Sequence, residues 1–138
     1  MTSRGIRNNN PGNIRHGDKW VGLCKEQTDP AFCQFETPEY GIRALVKLLR
    51  NYQKGFQAKG WSTTVERIIN RYAPPIENNT EAYIKHVCIA VGVDADEHIN
   101  VYCHDVIIPL IKAIIRHENG EMPYTIEQLE QGIHLANE

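Results

Sequence analysis

The stretch HDVIIPLIKAIIRHENG, residues 104–120, is the most apolar part of the chain and decides its fold class. Its aliphatic side chains recur at spacings of three and four residues, as on one face of an α-helix. We expect a buried helix that begins at His104 or Asp105 and ends at Gly120 in a left-handed cap. The expected buried face consists of Val106, Ile107, Leu110, Ile111, Ile114 and Ile115.

Helix start signals recur outside this stretch. Each is a Thr or Asn cap, followed by a proline in the first turn or by a capping-box partner, and then by apolar residues at helical spacing. The predicted helices run from Thr37-Pro38 to near Gly55, from Thr63–Glu66 to Pro74-Pro75, from Asn78–Glu81 to Gly92, and from Thr125–Gln128 towards the C-terminus.

The chain up to about Phe35 is rich in Gly and Asn, which predicts loops and a small hairpin. The expected fold is therefore mainly α (α+β), with about five to six helices and a small irregular or β N-terminal lobe. No repeat or composition break divides the 138 residues, so we expect a single domain, residues 1–138.

Composition and charge exclude several classes of protein. The net charge is −2 and the basic residues are scattered, which argues against a nucleic-acid binder. No apolar run reaches the ~18 residues needed to cross a bilayer. The residues after Met1 lead into a Gly- and Asn-rich stretch, so no signal peptide is expected. The six histidines form no ligand-spaced pair, and no metal site or cofactor is expected.

Four cysteines allow three disulfide pairings. Cys24 and Cys33 flank a short polar loop, and Cys88 and Cys103 lie on neighbouring predicted helices. Pairing Cys24 with Cys33 and Cys88 with Cys103 requires the least chain rearrangement, and would imply an oxidising compartment such as the periplasm. The alternative is four buried thiols.

Glu118, at the end of the apolar helix, is the first candidate for a catalytic acid. The C-terminal end of a helix carries partial negative charge, and burial disfavours a carboxylate. Both effects favour a protonated carboxyl, which general acid catalysis of glycosidic cleavage requires. The alternative interpretation is a surface glutamate in a helix cap.

Two further segments carry polar and aromatic groups. In RGIRNNNPGNIR, residues 4–15, the amides can adopt unusual backbone angles or bind sugar hydroxyl and N-acetyl groups. In RYAPPIENNTEAYI, residues 71–84, a diproline loop lies between two aromatic residues, as in a groove wall. The alternatives are a plain turn-rich N-terminus and a helix–helix connection with core tyrosines.

These segments, together with FETPEYGIRA (residues 35–44) and AIIRHENG (residues 113–120), resemble a phage-associated family described as virion structural or lysozyme-like proteins. The motif order is also similar to that of goose-type lysozymes and lytic transglycosylases. In that superfamily the helix ending in the catalytic Glu comes first, whereas here it comes last. The resemblance therefore implies a circularly permuted lysozyme-like domain, although the strings E-S-x-F and G-L-M-Q are missing from this chain.

The resemblance implies a peptidoglycan-degrading glycosidase, a muramidase or a lytic transglycosylase, that cleaves the MurNAc–GlcNAc backbone with Glu118 as its acid. Most glycosidases use two carboxylates, and Asp18 and Glu36 are the candidates for a second one. Lytic transglycosylases, as a family, use a single Glu. The residues expected to contact substrate are Asn10, Asn13, Ile14, Tyr72, Asn79, Tyr83 and Tyr124.

The expected partner is a peptidoglycan glycan strand, bound by a monomer in the periplasm or cell wall. Export would use a virion, a holin or a secretion apparatus, and an injected antibacterial effector would also need a cognate immunity protein. One alternative is a non-catalytic cell-wall-binding or virion structural module. Another is a cysteine peptidase or amidase with Cys24 or Cys33 as nucleophile and His104 or His117 as base.

Overall fold

A computed structural model describes residues 2–74 and 79–138 and shows a mainly helical protein. This confirms the mainly α fold class expected from the sequence. Within the described residues there are six α-helices and no β-sheet. The helices are α1 (Arg4–Arg7), α2 (Pro38–Ala58), α3 (Val65–Tyr72), α4 (Thr80–Val91), α5 (His104–Asn119) and α6 (Ile126–Ala136).

The chain forms two compact units. The first comprises the N-terminal segment up to Lys47 together with Ile114–Glu138, and the second comprises Leu48–Ala113. The boundaries fall inside α2 and inside α5, so each of these helices contributes residues to both units.

The core of each unit is built from the predicted apolar faces. Five of the six aliphatic residues expected on the buried face of α5 are at most 1% exposed, and Val106 is half-buried. The largest fully buried side chains of the first unit are Phe35, Ile42, Leu45, Ile114 and Ile115, and those of the second unit are Leu49, Ile68, Ile69, Tyr83, Ile107, Leu110 and Ile111.

The start of α2 follows the predicted cap, but its end does not. Thr37 Oγ1 accepts a hydrogen bond from the Tyr40 backbone N–H at 3.2 Å, which satisfies one unpaired donor of the first turn. The helix continues through Gly55 to Ala58, because one glycine inside a helix costs only about 1 kcal/mol. The predicted end near Gly55 is therefore wrong by one turn.

The cap of α3 lies one residue later than the predicted Thr63. Thr64 accepts the hydrogen bond from the Arg67 backbone N–H at 3.1 Å. Thr63 is buried instead, and its hydroxyl has no hydrogen-bond partner. Two adjacent threonines offer equivalent caps in the sequence, and only the packing of the chain decides between them.

The cap of α4 also lies one residue later than predicted, whereas the glycines that end α4 and α5 match their signals. Asn79 caps α4 by accepting from the Ala82 backbone N–H at 3.2 Å, while the predicted cap Asn78 and the second residue of the diproline, Pro75, lie outside the described residues. Gly92 closes α4 at φ +80° and Gly120 follows α5 at φ +76°, both in the left-handed conformation expected of a helix-ending glycine.

The N-terminal lobe, residues 2–36, is irregular. Two isolated antiparallel bridges, Arg15 with Phe32 and Leu23 with Phe35, stand where a small hairpin was expected. The one-turn helix α1 inside the Asn-rich segment was not predicted, because four residues are too few to show a helical period. Its cap is Ser3, whose side chain accepts from the Ile6 backbone N–H.

The predicted disulfides are absent, because Cys24, Cys33, Cys88 and Cys103 are all free thiols. The bridge at Leu23 sets Cys24 opposite Gln34, and Cys24 N–H donates to the Gln34 carbonyl at 2.9 Å. Cys33 precedes Gln34 by one residue, so its side chain lies on the face of the extended segment opposite to that of Gln34. There its Sγ donates to the Arg15 carbonyl at 3.5 Å.

For the second predicted pair, Cys88 is half-buried on α4, whereas Cys103 is exposed just before α5. Without disulfides, the inference of an oxidising compartment loses its structural support.

Gly41 marks the place where α2 meets the Asn-rich segment. A Cβ added there would collide with the Asn9 carbonyl oxygen and lie 2.9 Å from Pro11 Cδ. Gly55, on the same helix, is exposed and would meet nothing within 4 Å. The two glycines therefore stand in matched backbone settings but in opposite packing environments.

We predict opposite effects of alanine at these two positions. Gly41→Ala should lower the free energy of unfolding by roughly 1–3 kcal/mol, since a backbone carbonyl cannot yield to the new methyl group without local rearrangement. Gly55→Ala should raise it by about 0.5–1 kcal/mol through helix propensity. Urea denaturation of both variants measures the difference, and a stabilised Gly41→Ala protein would contradict the close approach.

Candidate functional site

Glu118 lies in the last turn of α5 and is half-buried. Its Oε1 accepts a hydrogen bond from Asn13 Nδ2 at 3.1 Å, across 105 positions of sequence. The structure thus brings together two residues that the sequence singled out independently, the expected acid and an amide of the Asn-rich segment.

Asn13 is held in position by a tight turn. Its backbone N–H donates to the Asn10 carbonyl at 3.0 Å, which closes the turn around Pro11 and Gly12. Its φ is +51°, a left-handed conformation that Asn tolerates better than most residues with a side chain. Asn13 Oδ1 is buried and has no hydrogen-bond partner in the structure. The amide therefore donates to Glu118 and has an acceptor left over.

Asn119 fastens the end of α5 to the same segment. Its Nδ2 donates to the Pro11 carbonyl at 2.8 Å and to the Ile115 carbonyl at 2.9 Å. Its Oδ1 accepts from Ser3 Oγ at 2.6 Å. These bonds fix the backbone next to Glu118 and so restrict where the carboxyl can lie.

Asn10 has a structural role, contrary to the predicted contact with substrate. The side chain is fully buried, its Nδ2 donates to the carbonyls of Ile14 and Cys33 at 2.9 Å each, and its Oδ1 accepts from the Ile14 backbone N–H at 3.0 Å. Every polar atom of the amide is thereby engaged. Ile14, also expected at the substrate, is 7% exposed and belongs to the core.

Asp29 organises the rest of the lobe and was not singled out by the sequence. Its carboxylate accepts two hydrogen bonds from Arg4 at 2.6 and 2.7 Å, one from Asn8 Nδ2 at 3.0 Å, and others from the backbone N–H groups of Ala31 and Phe32. The Arg4 side chain and these donors hold the pKa of Asp29 far below its usual range. The available signal was the Asp29-Pro30 dipeptide, which is typical of a turn start.

The two candidates for a second carboxylate are exposed. Asp18 and Glu36 both lie on the surface of the lobe, and neither shares the half-buried setting of Glu118. The structure therefore does not select a second catalytic carboxylate from this pair.

Tyr124 is a buried phenol in the first unit. It is 8% exposed, and its hydroxyl has no hydrogen-bond partner in the structure. Burial raises its pKa to about 12, with further contributions from the charges of Glu121 and Glu39. Glu39 in turn accepts a hydrogen bond from Gln128 Nε2 at 3.5 Å. The unpaired hydroxyl keeps Tyr124 a candidate for substrate contact.

The remaining candidates belong to the second unit. Tyr83 is fully buried, as expected of a core tyrosine and not of a groove wall. Asn79 uses its side-chain oxygen to cap α4. Tyr72 is half-buried at the end of α3. Of these three, only Tyr72 stays a candidate for the surface role that the sequence suggested.

Two of the four cysteines lack the setting of an activated nucleophile. Burial raises the pKa of the Cys33 and Cys88 thiols, the opposite of what an activated nucleophile needs. Across residues 2–74 and 79–138, no group of three or more His, Cys, Asp or Glu side chains is placed to hold a metal ion. No helix in that part of the chain is long and apolar enough to span a membrane.

We predict that Asp29 makes the folding stability of the lobe depend on pH in the acidic range. Because its pKa is lowered on folding, its stabilising contribution is complete above the unfolded value of about 3.9 and is lost as the pH falls towards the folded value. Asp29→Asn should lower the thermal midpoint at pH 7 and flatten the acid limb of the stability profile below about pH 4. Asp18→Asn, an exposed control in the same lobe, should change neither, and an unchanged midpoint in Asp29→Asn would contradict the role of this residue.

No family model matches the chain. It is 37% identical over 134 residues to Protein P5 of Pseudoalteromonas phage PM2, and the match covers 94% of this chain and 79% of P5. The name of that relative states a phage origin and no activity. With this identity over nearly its whole length, the chain belongs to the family of Protein P5 of Pseudoalteromonas phage PM2.

Proposed function

We propose that the chain is a peptidoglycan-cleaving glycosidase, a muramidase or a lytic transglycosylase, with Glu118 as its general acid. The observation that carries the proposal is the hydrogen bond from Asn13 Nδ2 to Glu118 Oε1 at 3.1 Å. It fixes one oxygen of a half-buried carboxyl at the end of the core helix α5.

The setting of Glu118 suits proton donation. Its carboxyl is half-buried, so it is partly shielded from bulk water and still accessible. Asn13 and Asn119 restrict the orientation of the group, which lowers the entropic cost of reaching the transition state.

In the proposed reaction, the protonated Glu118 carboxyl donates its proton to the glycosidic oxygen while the bond from that oxygen to C1 breaks. The carboxylate then acts as a base. In a transglycosylase it removes the proton of the muramic acid 6-hydroxyl, whose oxygen closes on C1 to give a 1,6-anhydro sugar. In a hydrolase it activates a water molecule instead. The exposure of Asp18 and Glu36 supports the route that uses one carboxylate.

The phage relative supports a phage context for this activity, such as a virion enzyme or a lysin. The free thiols withdraw the disulfide argument for an injected periplasmic effector, which would need a cognate immunity protein. We therefore propose peptidoglycan glycan strands as the partner, reached by way of the virion or a holin.

One observation favours a non-catalytic virion or wall-binding module instead. The side-chain amides of Asn8, Asn9 and Asn10 bind groups of the lobe itself, so the Asn-rich segment has a structural explanation without any ligand. Such a module would not depend on the carboxyl of Glu118, and substitution of that residue separates the two functions.

We predict that Glu118→Gln lowers the rate of peptidoglycan clearing by roughly 10²- to 10⁴-fold, the usual contribution of general acid–base catalysis. The amide keeps the size of the side chain, so the thermal midpoint should change little. Glu121→Gln, an exposed carboxylate three residues on, is the matched control and should clear at the wild-type rate. Full activity in Glu118→Gln would refute the assignment.

We predict a smaller loss for Asn13→Gly. Glycine accepts the φ of +51° without strain, so the change removes the amide while sparing the turn. Clearing should fall roughly tenfold or more, because the carboxyl loses its orienting donor. An unchanged clearing rate in Asn13→Gly would show that this hydrogen bond does not position the acid.

Mass spectrometry of the released sugars should show 1,6-anhydro ends for a transglycosylase and reducing ends for a hydrolase.

A further inference from the structure

A groove of about 790 Å³ lies on the second unit and contains none of the residues assigned above to catalysis. Its volume falls within the range of roughly 300–1,000 Å³ that is usual for small-ligand sites. Aromatic, cationic and amide side chains share its walls, among them those of Phe56, Lys59, Trp61, Arg67, Asn70 and Arg71.

Trp61 provides an exposed aromatic surface with firm support. Its side chain is 47% exposed, although most large apolar residues of the chain are buried. Its backbone N–H donates to the Phe56 carbonyl at 2.9 Å, and its ring stacks on that of Phe56 with 6.5 Å between centroids. An indole held in this way can pack against the apolar face of a sugar ring without first losing much conformational freedom.

Two cations lie over this aromatic surface, and a third lines the groove. Lys59 Nζ lies 4.7 Å and Arg67 Cζ 5.5 Å from the centroid of the Trp61 ring. Arg67 is oriented further by donating from Nη1 to the Ser62 carbonyl at 2.7 Å. Arg71 follows one turn along α3, on the same face as Arg67, and its guanidinium lies 5.1 Å from the centroid of the Tyr52 ring. Guanidinium groups arranged on one helix face suit recognition of a carboxylate.

The balance of charge argues for a sparsely charged ligand. Among the described residues, two carboxylates, Glu66 and Asp96, line the groove together with the three cations, which leaves a net charge of +1. A nucleic acid carries a negative charge at every nucleotide and would be repelled by both carboxylates. The exposed amide of Asn70 instead offers a neutral partner for hydroxyl or acetamido groups.

From this arrangement we infer that the groove binds an N-acetyl amino sugar that bears one carboxylate. The sugar ring would pack on Trp61, and the carboxylate would bind Arg67 and Arg71. The choice of ligand rests on the proposed function, because the lactyl carboxylate is what distinguishes MurNAc from GlcNAc along a glycan strand. The groove would be a substrate-binding site distinct from the cleavage site.

The test is an NMR titration of ¹⁵N-labelled Glu118→Gln protein, which binds saccharides without cleaving them if the proposed function holds. The probes are the GlcNAc–MurNAc disaccharide and chitobiose, which differ by the lactyl group. The indole N–H of Trp61 should shift saturably, whereas that of Trp20, whose Nε1 is buried, should not. Chitobiose should bind roughly three- to tenfold more weakly, since it lacks the charge-assisted hydrogen bonds.

Two variants and a matched control test where the ligand and its carboxylate bind. Trp61→Ala should abolish the binding of both probes. Arg71→Gln should remove the preference for GlcNAc–MurNAc. Because Arg71 is exposed, this variant keeps the stacked rings of Phe56 and Trp61, and it still tests the inference if Trp61→Ala fails to fold. Lys85→Gln removes one positive charge from an exposed site on α4 of the same unit and should leave both affinities unchanged.

Three results would overturn the inference: no shift of the Trp61 signal, equal affinity for the two disaccharides, or tighter binding of a short oligothymidylate than of GlcNAc–MurNAc. The outcome is independent of the cleavage assay. If Glu118→Gln no longer clears peptidoglycan but the Trp61 indole signal does not shift, the inference about the groove is wrong and the proposed function is retained. If the Trp61 indole signal shifts but Glu118→Gln still clears peptidoglycan, the inference about the groove is retained and the catalytic assignment of Glu118 is wrong.

Discussion

The hydrogen bonds between the end of α5 and the turn around Pro11 are the constraint on which the candidate site depends. Asn119 binds the Pro11 carbonyl and Asn13 binds the Glu118 carboxyl, so two neighbouring residues of the helix are tied to one short segment. Gly41 then lets α2 approach the Asn9 carbonyl behind that segment. A half-buried helix end, a turn with Asn13 in the left-handed conformation and a close helix contact thus act together to fix the Glu118 carboxyl.

The Asn-rich segment shows how a polar sequence can be almost wholly structural. A lobe without a β-sheet among its described residues still has to satisfy its backbone donors and acceptors, because unsatisfied buried groups cost about 1–3 kcal/mol each. The amides of Asn9 and Asn10 supply these partners by binding the carbonyls of Phe35, Ile14 and Cys33. Asp29 does the same for Arg4 and for two backbone N–H groups. Asn13 Oδ1, by contrast, is buried and has no hydrogen-bond partner.

The two units differ in the kind of chemistry that their surfaces offer. In the first, the Glu118 carboxyl is half-buried, and the buried phenol of Tyr124 has no hydrogen-bond partner. In the second, the exposed Trp61 and the cations of α3 suit binding without reaction. The proposed cleavage of glycan strands would need both, because a long polymer must be held as well as cut. The NMR titration and the clearing assay examine these two properties separately.

The sequence by itself determined the mainly helical fold and most of its helix ends, since helical periodicity, Thr caps and terminal glycines act over only a few residues. It also marked Glu118, from its place after an apolar helix. Tertiary structure decided what local signals leave open. It chose Thr64 over Thr63 as a cap, carried α2 past Gly55, left the four thiols free, and buried Asn10 and Tyr83. It also paired Asn13 with Glu118 across 105 positions. Register, burial and long-range hydrogen bonds depend on which surfaces meet in the folded chain, and no local pattern of residues encodes that meeting.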